Sequence, residues 1–364
     1  MRVHNFNPGP AALPLAVLEA AQRDLVDFRG SGTSVLEMSH RGGAYEEIHR
    51  RATDGLGRLL ELPAGTSVLL LQGGASLQFA MAPLNLLPRG GRADYLLTGE
   101  WSKKALAEAR RVAAERGAEA RAAASTEDEA FRRVPRREEI ALDPAADYVH
   151  LTSNNTIYGT RWRELPDTGE VPLVVDASSD VLSRRLPAER IALLYAGAQK
   201  NLGPAGVTVV AVRDDLLDRA PDTLPAILRY RTHRDKGSLY NTPPTFAVYL
   251  LGLVVEWVEA QGGVAAVEAV NEKKAELLYG VLDASDFFRG HAEPDSRSRM
   301  NVTFRLPDEA LEKRLLAEAA EAGLVGLKGH RSVGGLRASL YNAVTLDSVG
   351  VLREFLEDFQ RRHG

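Results

Sequence analysis

Lys200 follows the apolar run Leu193–Ala196 and sits among Gly197, Ala198, Gly203, Ala205 and Gly206. Small neighbours leave room for a flat ligand. A lysine in such a confined, partly desolvated place has a lowered pKa, which favours condensation with an aldehyde. The other lysines (Lys103, Lys104, Lys236, Lys273, Lys274, Lys313 and Lys328) fall mostly on charged helical faces or loops, where a solvated lysine belongs. Asp176 ends the run Leu173-Val174-Val175, where an ionised carboxylate is costly unless it meets a cation or several donors. A protonated pyridine nitrogen would satisfy it. Gly73-Gly74-Ala75-Ser76 opens a helical stretch, so its backbone N–H groups and the positive end of the helix dipole offer a seat for a phosphate. Trp101 supplies a ring that could stack. Each residue also has a plain reading: a snorkelling lysine, a capping aspartate, an ordinary glycine turn. Together they form the set that a pyridoxal phosphate site needs.

The elements around them have a consistent pattern. Ser67–Leu71, Asp94–Leu97, Tyr148–Thr152, Pro172–Val175, Leu193–Ala196 and Val207–Val212 are short apolar runs, most of them closed by polar or glycine-rich segments. Helical periodicity over Val17–Phe28, Ala44–Leu62, Leu77–Leu87 and Lys103–Ala114 alternates with them. Continuous apolar strands interleaved with helices predict an α/β fold with a mainly parallel sheet covered on both faces. Ligands of such sheets sit at the C-terminal strand ends, where the candidate residues fall. The stretch 113–143, rich in Ala, Arg and Glu, carries no chemistry and reads as solvated helix or loop. After Thr242-Pro243-Pro244 a long helical region runs to about Leu282, broken at Gly262-Gly263. The segments Asn301–Leu306, Asp308–Ala322, Arg337–Tyr341 and Leu346–Arg362 then form a smaller α/β unit. The expected organisation is an N-terminal arm over 1–15, a large domain over 16–258 and a small C-terminal domain over 259–364.

With 364 residues, 45% of them hydrophobic, the chain can bury a large core, and its formal net charge of −4 offers no general attraction to nucleic acid or anionic lipid. It has no cysteine, which excludes disulfides, thiolate metal sites and cysteine nucleophiles. No metal is expected. Neither the N-terminal segment nor Phe246–Val255, about half the length of a membrane span, looks like a targeting or transmembrane segment. A cytoplasmic enzyme without membrane or nucleic-acid partners is the expectation.

Motifs along nearly the whole chain resemble the phosphoserine aminotransferases, a group within the class V, fold-type I pyridoxal-phosphate aminotransferases. The resemblance is carried by Asn5-Phe6-Asn7-Pro8-Gly9-Pro10-Ala11, Met38-Ser39-His40-Arg41-Gly42, Gln72-Gly73-Gly74-Ala75-Ser76 and Ala196 to Gly206. Tyr240 to Thr245, Ser298-Arg299-Met300-Asn301-Val302 and Gly329-His330-Arg331 through Ser339 complete it. It implies that Lys200 holds the cofactor as a Schiff base, Asp176 pairs with the pyridine nitrogen, Trp101 stacks on the ring and Thr156 bonds the ring hydroxyl. Ala75, Ser76 and Gln199 would bind the cofactor phosphate. Asn241 and Thr242 would reach that phosphate from a partner subunit, so that a homodimer shares composite sites. His40, Arg41, His330 and Arg331 would take the substrate phosphate or distal carboxylate, and Arg337 the α-carboxylate. Ser76 and Pro8 stand where some relatives carry other residues.

The implied reaction moves the amino group of L-glutamate to 3-phosphohydroxypyruvate, giving O-phospho-L-serine and 2-oxoglutarate, as in serine biosynthesis. The related phosphohydroxythreonine of pyridoxine biosynthesis presents the same groups and stays open as a product. Another class V reaction, such as serine–glyoxylate transamination, is the nearest alternative. A dinucleotide-dependent oxidoreductase would need a Gly-x-Gly-x-x-Gly turn, which Gln72 to Gln78 does not supply.

Overall fold

The computed structural model describes residues 2–364, built around a seven-stranded sheet. Its strands are β1 (Thr66–Gly73), β2 (Arg92–Leu97), β3 (Glu119–Ser125), β4 (Tyr148–Thr152), β5 (Leu173–Asp176), β6 (Leu193–Gly197) and β7 (Gly206–Arg213). Their spatial order is β1-β7-β6-β5-β4-β2-β3. Only β7 runs antiparallel, pairing with β1 and β6; the other neighbours are parallel. Strands β4, β5 and β6 are buried at every position, as strands covered on both faces must be.

Nine α-helices occur among the described residues. They are α1 (Leu15–Asp24), α2 (Gly43–Leu59), α3 (Ala75–Leu86), α4 (Glu100–Arg116), α5 (Tyr230–Asp235), α6 (Thr245–Ala260), α7 (Gly263–Asp283), α8 (Glu309–Glu321) and α9 (Leu346–His363). Successive strand residues face opposite layers. Leu70, Val175, Leu194 and Val209 meet α2 and α6 on one side. Leu69, Val174, Leu193 and Val210 meet α3 and α4 on the other. Helices α2 and α6 cross so closely that a Cβ on Gly55 would lie 2.3 Å from Val255 Cγ1. The apolar run of α6 is therefore a core helix, and no single helix among the described residues is long and apolar enough to cross a membrane.

A second, antiparallel sheet is formed by β8 (Arg289–Gly290), β9 (Asn301–Arg305) and β10 (Leu336–Ser339). With α8 and α9 it encloses a separate core that includes Phe304, Leu315, Leu336, Leu352 and Phe359. The N-terminal segment is tied to this unit: His4–Asn5 pairs in parallel with Leu324–Val325, and Phe6 is fully buried in its core. Helix α7 serves both units, with Val264 and Val267 in the large core and Leu278, Val281 and Leu282 in the small one.

Two expectations are corrected. The stretch 113–143 contains the sheet's edge strand β3, whose Ala120, Ala123 and Ala124 are buried. Alanine has weak strand propensity, but small side chains let α4 lie close enough for Arg110 Nε to donate to the Ala120 carbonyl. Arg121 adds an ion pair at 2.8 Å to the buried Asp94. Lys274, grouped above with solvated lysines, is fully buried, because its ammonium finds three backbone carbonyls inside the protein.

Candidate active site

The C-terminal ends of β1, β4, β5 and β6 open into one cavity of about 330 Å³. Each strand delivers its residue at the point where the chain leaves the sheet. Strand β5 ends on Asp176, and β6 ends at Gly197, three residues before Lys200. At the end of β1, Gly73 at φ 105° turns the chain so that α3 begins at Ala75. Helix α4 starts earlier than its periodicity suggested, placing Trp101 in its first turn. After β4 a small hairpin, Asn154–Asn155 with Thr160–Arg161, presents Thr156. The small unit contributes Arg337 from β10 and His330 from the preceding loop.

Lys200 reaches into this cavity. Its Nζ donates to Thr156 Oγ1 at 2.7 Å and stands 5.9 Å from the centroid of the Trp101 ring. Burial pushes its pKa down to about 8, with the charge of Arg337 in the same direction and that of Asp176 opposed. Gly9, at φ 135°, lies against its stem; a Cβ there would sit 3.3 Å from Lys200 Cγ.

Asp176 is 3% exposed, and burial raises its pKa; the hydrogen bonds from Ser178 and the charge of Lys200 act against that. Its Oδ1 accepts from Ser178 N–H at 3.0 Å and Ser178 Oγ at 2.6 Å, while Gly197 N–H donates to Ser178 Oγ at 3.1 Å. Ser178 thus locks the ends of β5 and β6 together. One carboxylate oxygen is held, leaving the other for a cationic partner.

Arg337 is 5% exposed; its Nη1 donates to the Thr156 carbonyl at 3.2 Å, and its Nε has no hydrogen-bond partner among the described residues. A buried guanidinium so sparsely satisfied suits an incoming carboxylate, which it can grip with two parallel N–H donors. Trp101 Nε1 is likewise buried without a partner. The N-cap of α3 is Gly74, with no side-chain cap, so the first-turn N–H groups at Ala75 and Ser76 remain available to an anion.

This donor set fits pyridoxal phosphate: an amine for its aldehyde, a carboxylate for its ring nitrogen, an indole for its face and an uncapped helix for its phosphate. No group of three or more metal-ligating side chains occurs among the described residues.

Of the residues singled out in the sequence, Ala75, Ser76, Trp101, Thr156, Asp176, Gln199, Lys200, His330 and Arg337 line the cavity. His40, Arg41, Asn241, Thr242 and Arg331 do not line it in their own chain. Asn241 instead donates to Gln72 Oε1 at 2.9 Å, just before the glycine turn, and Thr242 is exposed. His330 Nδ1 lies 2.7 Å from Ser332 Oγ. Sequence reasoning missed Ser178, Asn154 and Phe79. Ser178 and Asn154 were visible only as polar residues after strands, and Phe79 had no signal, being one apolar residue inside an apolar helix.

A mainly parallel sheet with lysine, aspartate, indole and phosphate seat at its strand ends defines a fold-type I pyridoxal-phosphate transferase. Residues 3–352 match the family model for class-V aminotransferases. Phosphoserine aminotransferases from Lysinibacillus sphaericus and Geobacillus kaustophilus are each 55% identical to the chain, over 363 and 362 residues, covering at least 99% of both partners in each comparison. The solved phosphoserine aminotransferase from Bacillus circulans subsp. alkalophilus superposes with a TM-score of 0.96 at 51% identity, covering 100% of this chain and 99% of that one. The PLP-bound phosphoserine aminotransferase from Trichomonas vaginalis gives 0.94 at 38% identity, covering 98% and 100%. The chain belongs to the class-V aminotransferases and, within them, to the phosphoserine aminotransferase family.

Proposed function

We propose that the cavity holds pyridoxal phosphate on Lys200 and transfers the amino group of L-glutamate to 3-phosphohydroxypyruvate, giving O-phospho-L-serine and 2-oxoglutarate. The observation that carries this reading is the convergence of Lys200, Asp176, Trp101 and the uncapped start of α3 on one cavity that also contains the buried Arg337. Bound there, the cofactor supplies an electron-accepting ring conjugated to the substrate nitrogen.

The protein residues do the rest. Asp176 holds the ring nitrogen protonated. Trp101 covers one face of the ring, and Ala75, Ser76 and Gln199 anchor the phosphate. Thr156, which accepts from Lys200 Nζ, serves the ring hydroxyl once that amine is engaged. Arg337 fixes the substrate α-carboxylate, so that the Cα–H bond faces Lys200, and the Lys200 amine takes and returns that proton. His330 and Arg331, with His40 and Arg41, meet the substrate phosphate or distal carboxylate.

A homodimer accounts for the residues that do not line the cavity of their own chain. Asn241 and Thr242 then reach the phosphate seat of the partner subunit. Val26 at 81% exposure, Leu36 at 54% and Tyr240 at 45% are apolar side chains that a second copy would cover. Thr242→Ala is expected to weaken cofactor retention only modestly on its own. Co-expressed with Lys200→Ala to form heterodimers, it regains wild-type cofactor affinity in a fraction of its sites; heterodimers without that recovery, or a monomer in sedimentation, remove this reading.

Assays of glutamate with each oxo acid test the reaction. Turnover of 3-phosphohydroxypyruvate well above that of glyoxylate is expected. Reaction with glyoxylate and with no phosphorylated acceptor overturns the assignment.

The lowered pKa of Lys200 has its own consequence. Only the neutral amine attacks an aldehyde, so capture of pyridoxal phosphate by the cofactor-free protein is expected to accelerate about tenfold per pH unit below the pKa, and to level off above about 8. Stopped-flow absorbance reads this directly, and a rate still climbing at pH 10 would mean an ordinary solvated lysine. For Asp176→Asn, which cannot keep the ring nitrogen protonated, kcat is expected to fall by about 10²-fold or more while the cofactor is retained. Steady-state kinetics beside the absorbance spectrum check both parts.

A further inference from the structure

A second cleft of about 600 Å³ lies where the Thr160–Arg161 arm of the hairpin, the segment before β9 and helix α7 meet. Arg161, Arg163, Arg184, Arg185, Arg297 and Arg299 all line it. Five of the six have carboxylate partners: Arg163 with Asp295 at 3.6 Å, Arg184 with Asp180 at 3.2 Å, Arg185 with Glu61 at 3.1 Å, Arg297 with Asp283 at 2.6 Å, and Arg299 with Glu268 and Glu272.

Among the described residues, Arg161 is the exception. It is 8% exposed, lines the cleft, pairs with no carboxylate, and its Nε is buried without a hydrogen-bond partner. Burial lowers its pKa to about 10; Arg299, Arg184 and Arg163 push the same way, and Asp180 opposes them. The side chain therefore stays cationic at neutral pH, and the acids around it are engaged by other arginines or, like Glu164 and Glu276, exposed at the cleft. A buried, unpaired guanidinium is destabilising unless an anion completes it. Its planar fork matches a tetrahedral oxyanion or a carboxylate.

We propose that this cleft is a second anion-binding site, in which Arg161 takes the phosphate of inorganic phosphate or of a small phosphomonoester. Phosphate rather than a monocarboxylate is favoured because a tetrahedral dianion can accept from the Arg161 fork and offer its remaining oxygens to N–H donors that the neighbouring ion pairs leave free. The exposed acids Glu164 and Glu276, which also line the cleft, disfavour anything longer, such as a polyphosphate or a nucleic acid.

The location connects it to the catalytic cavity. Across the hairpin Arg161 is paired with Asn154, which lines that cavity. The Asn154 side chain donates to Ser179 Oγ at 2.8 Å and to Asn301 Oδ1 at 2.9 Å and accepts from Ser298 Oγ at 2.5 Å. An anion on Arg161 would thus stiffen a wall shared by both sites.

The test uses the holoenzyme in chloride and in phosphate at equal ionic strength. Phosphate at tenfold its dissociation constant is expected to raise Tm by about 2 °C or more, and Arg161→Gln is expected to lose that part of the rise. Phosphate acting as an active-site competitor would still inhibit the variant, which separates the two sites. An equal phosphate-dependent rise in wild type and variant overturns the proposal. Should Arg161→Gln fail to fold, wild-type holoenzyme crystals soaked in tungstate decide the matter: an anomalous peak beside Arg161 supports the site, and a peak confined to the catalytic cavity overturns it.

Discussion

Lys200→Ala is expected to leave a folded protein whose transamination rate is at least about 10⁴-fold below wild type. In the proposed mechanism the residue has two tasks, anchoring the cofactor and moving the substrate Cα proton, and alanine can do neither. Folding should be little affected, because the side chain makes one hydrogen bond, to Thr156 Oγ1, and its burial disfavours the charged form. Removing it also leaves Asp176 without a favourable charge, so the Asp176 pKa should move further up. Lys200→Arg separates charge from reactivity: the positive charge survives, but arginine stays protonated and cannot attack an aldehyde. Both variants should show the same loss, read as the disappearance of the visible cofactor band together with single-turnover kinetics. An arginine variant that retains a tenth of wild-type activity would show that the lysine acts mainly as a charge, and the proposed mechanism would have to be abandoned.

The site was legible in the sequence to the extent that it is built from strand ends. Buried parallel strands are continuous apolar runs, and the chain can place polar chemistry only where they stop. Asp176 and Lys200 stood out for that reason, as did the glycine turn before Ala75. What depends on packing between distant segments was not legible. Ser178 orients Asp176 only because β5 and β6 lie side by side, with Gly197 N–H closing the bond. Strand β3 is an alanine run with little strand propensity of its own; it is held by its pairing with β2, by α4, and by the ion pair of its Arg121 with Asp94. His40, Arg41, Asn241, Thr242 and Arg331 stand out through their motifs, but one chain does not bring them to its own cavity. Arg161 gave no signal: an arginine in a polar loop looks solvated until six of them are found around one cleft.

Lys274 is the strongest case of such non-local control, and its replacement should have the largest effect on stability. Its ammonium donates to the carbonyls of Leu340 at 2.8 Å, Tyr341 at 3.0 Å and Val344 at 2.9 Å, so all three N–H bonds are used inside the protein. One turn earlier on α7, Asn271 donates to Ser183 O at 3.0 Å and Asn342 Oδ1 at 2.9 Å. Asn342 N–H in turn donates to Asn201 Oδ1 at 3.0 Å, beside Lys200. Lys274→Met keeps the bulk but strands the carbonyls. The expected cost is about 3 kcal/mol, what two or three unsatisfied buried acceptors are worth after relief of the buried charge, or roughly 4 °C in Tm for a chain of this length. Burial pulls the folded-state pKa of Lys274 from 10.5 down to about 7. Between those values the unfolded chain binds a proton that the folded one does not, so this group makes stability rise with pH across that window and adds no slope below about 7. The gap between wild type and Lys274→Met in urea midpoints should therefore widen from pH 7 to pH 9, other groups titrating alike in both proteins. A constant gap would mean that the three carbonyls hold the ammonium charged despite its burial, and no gap at any pH would mean that the contacts do not support the fold.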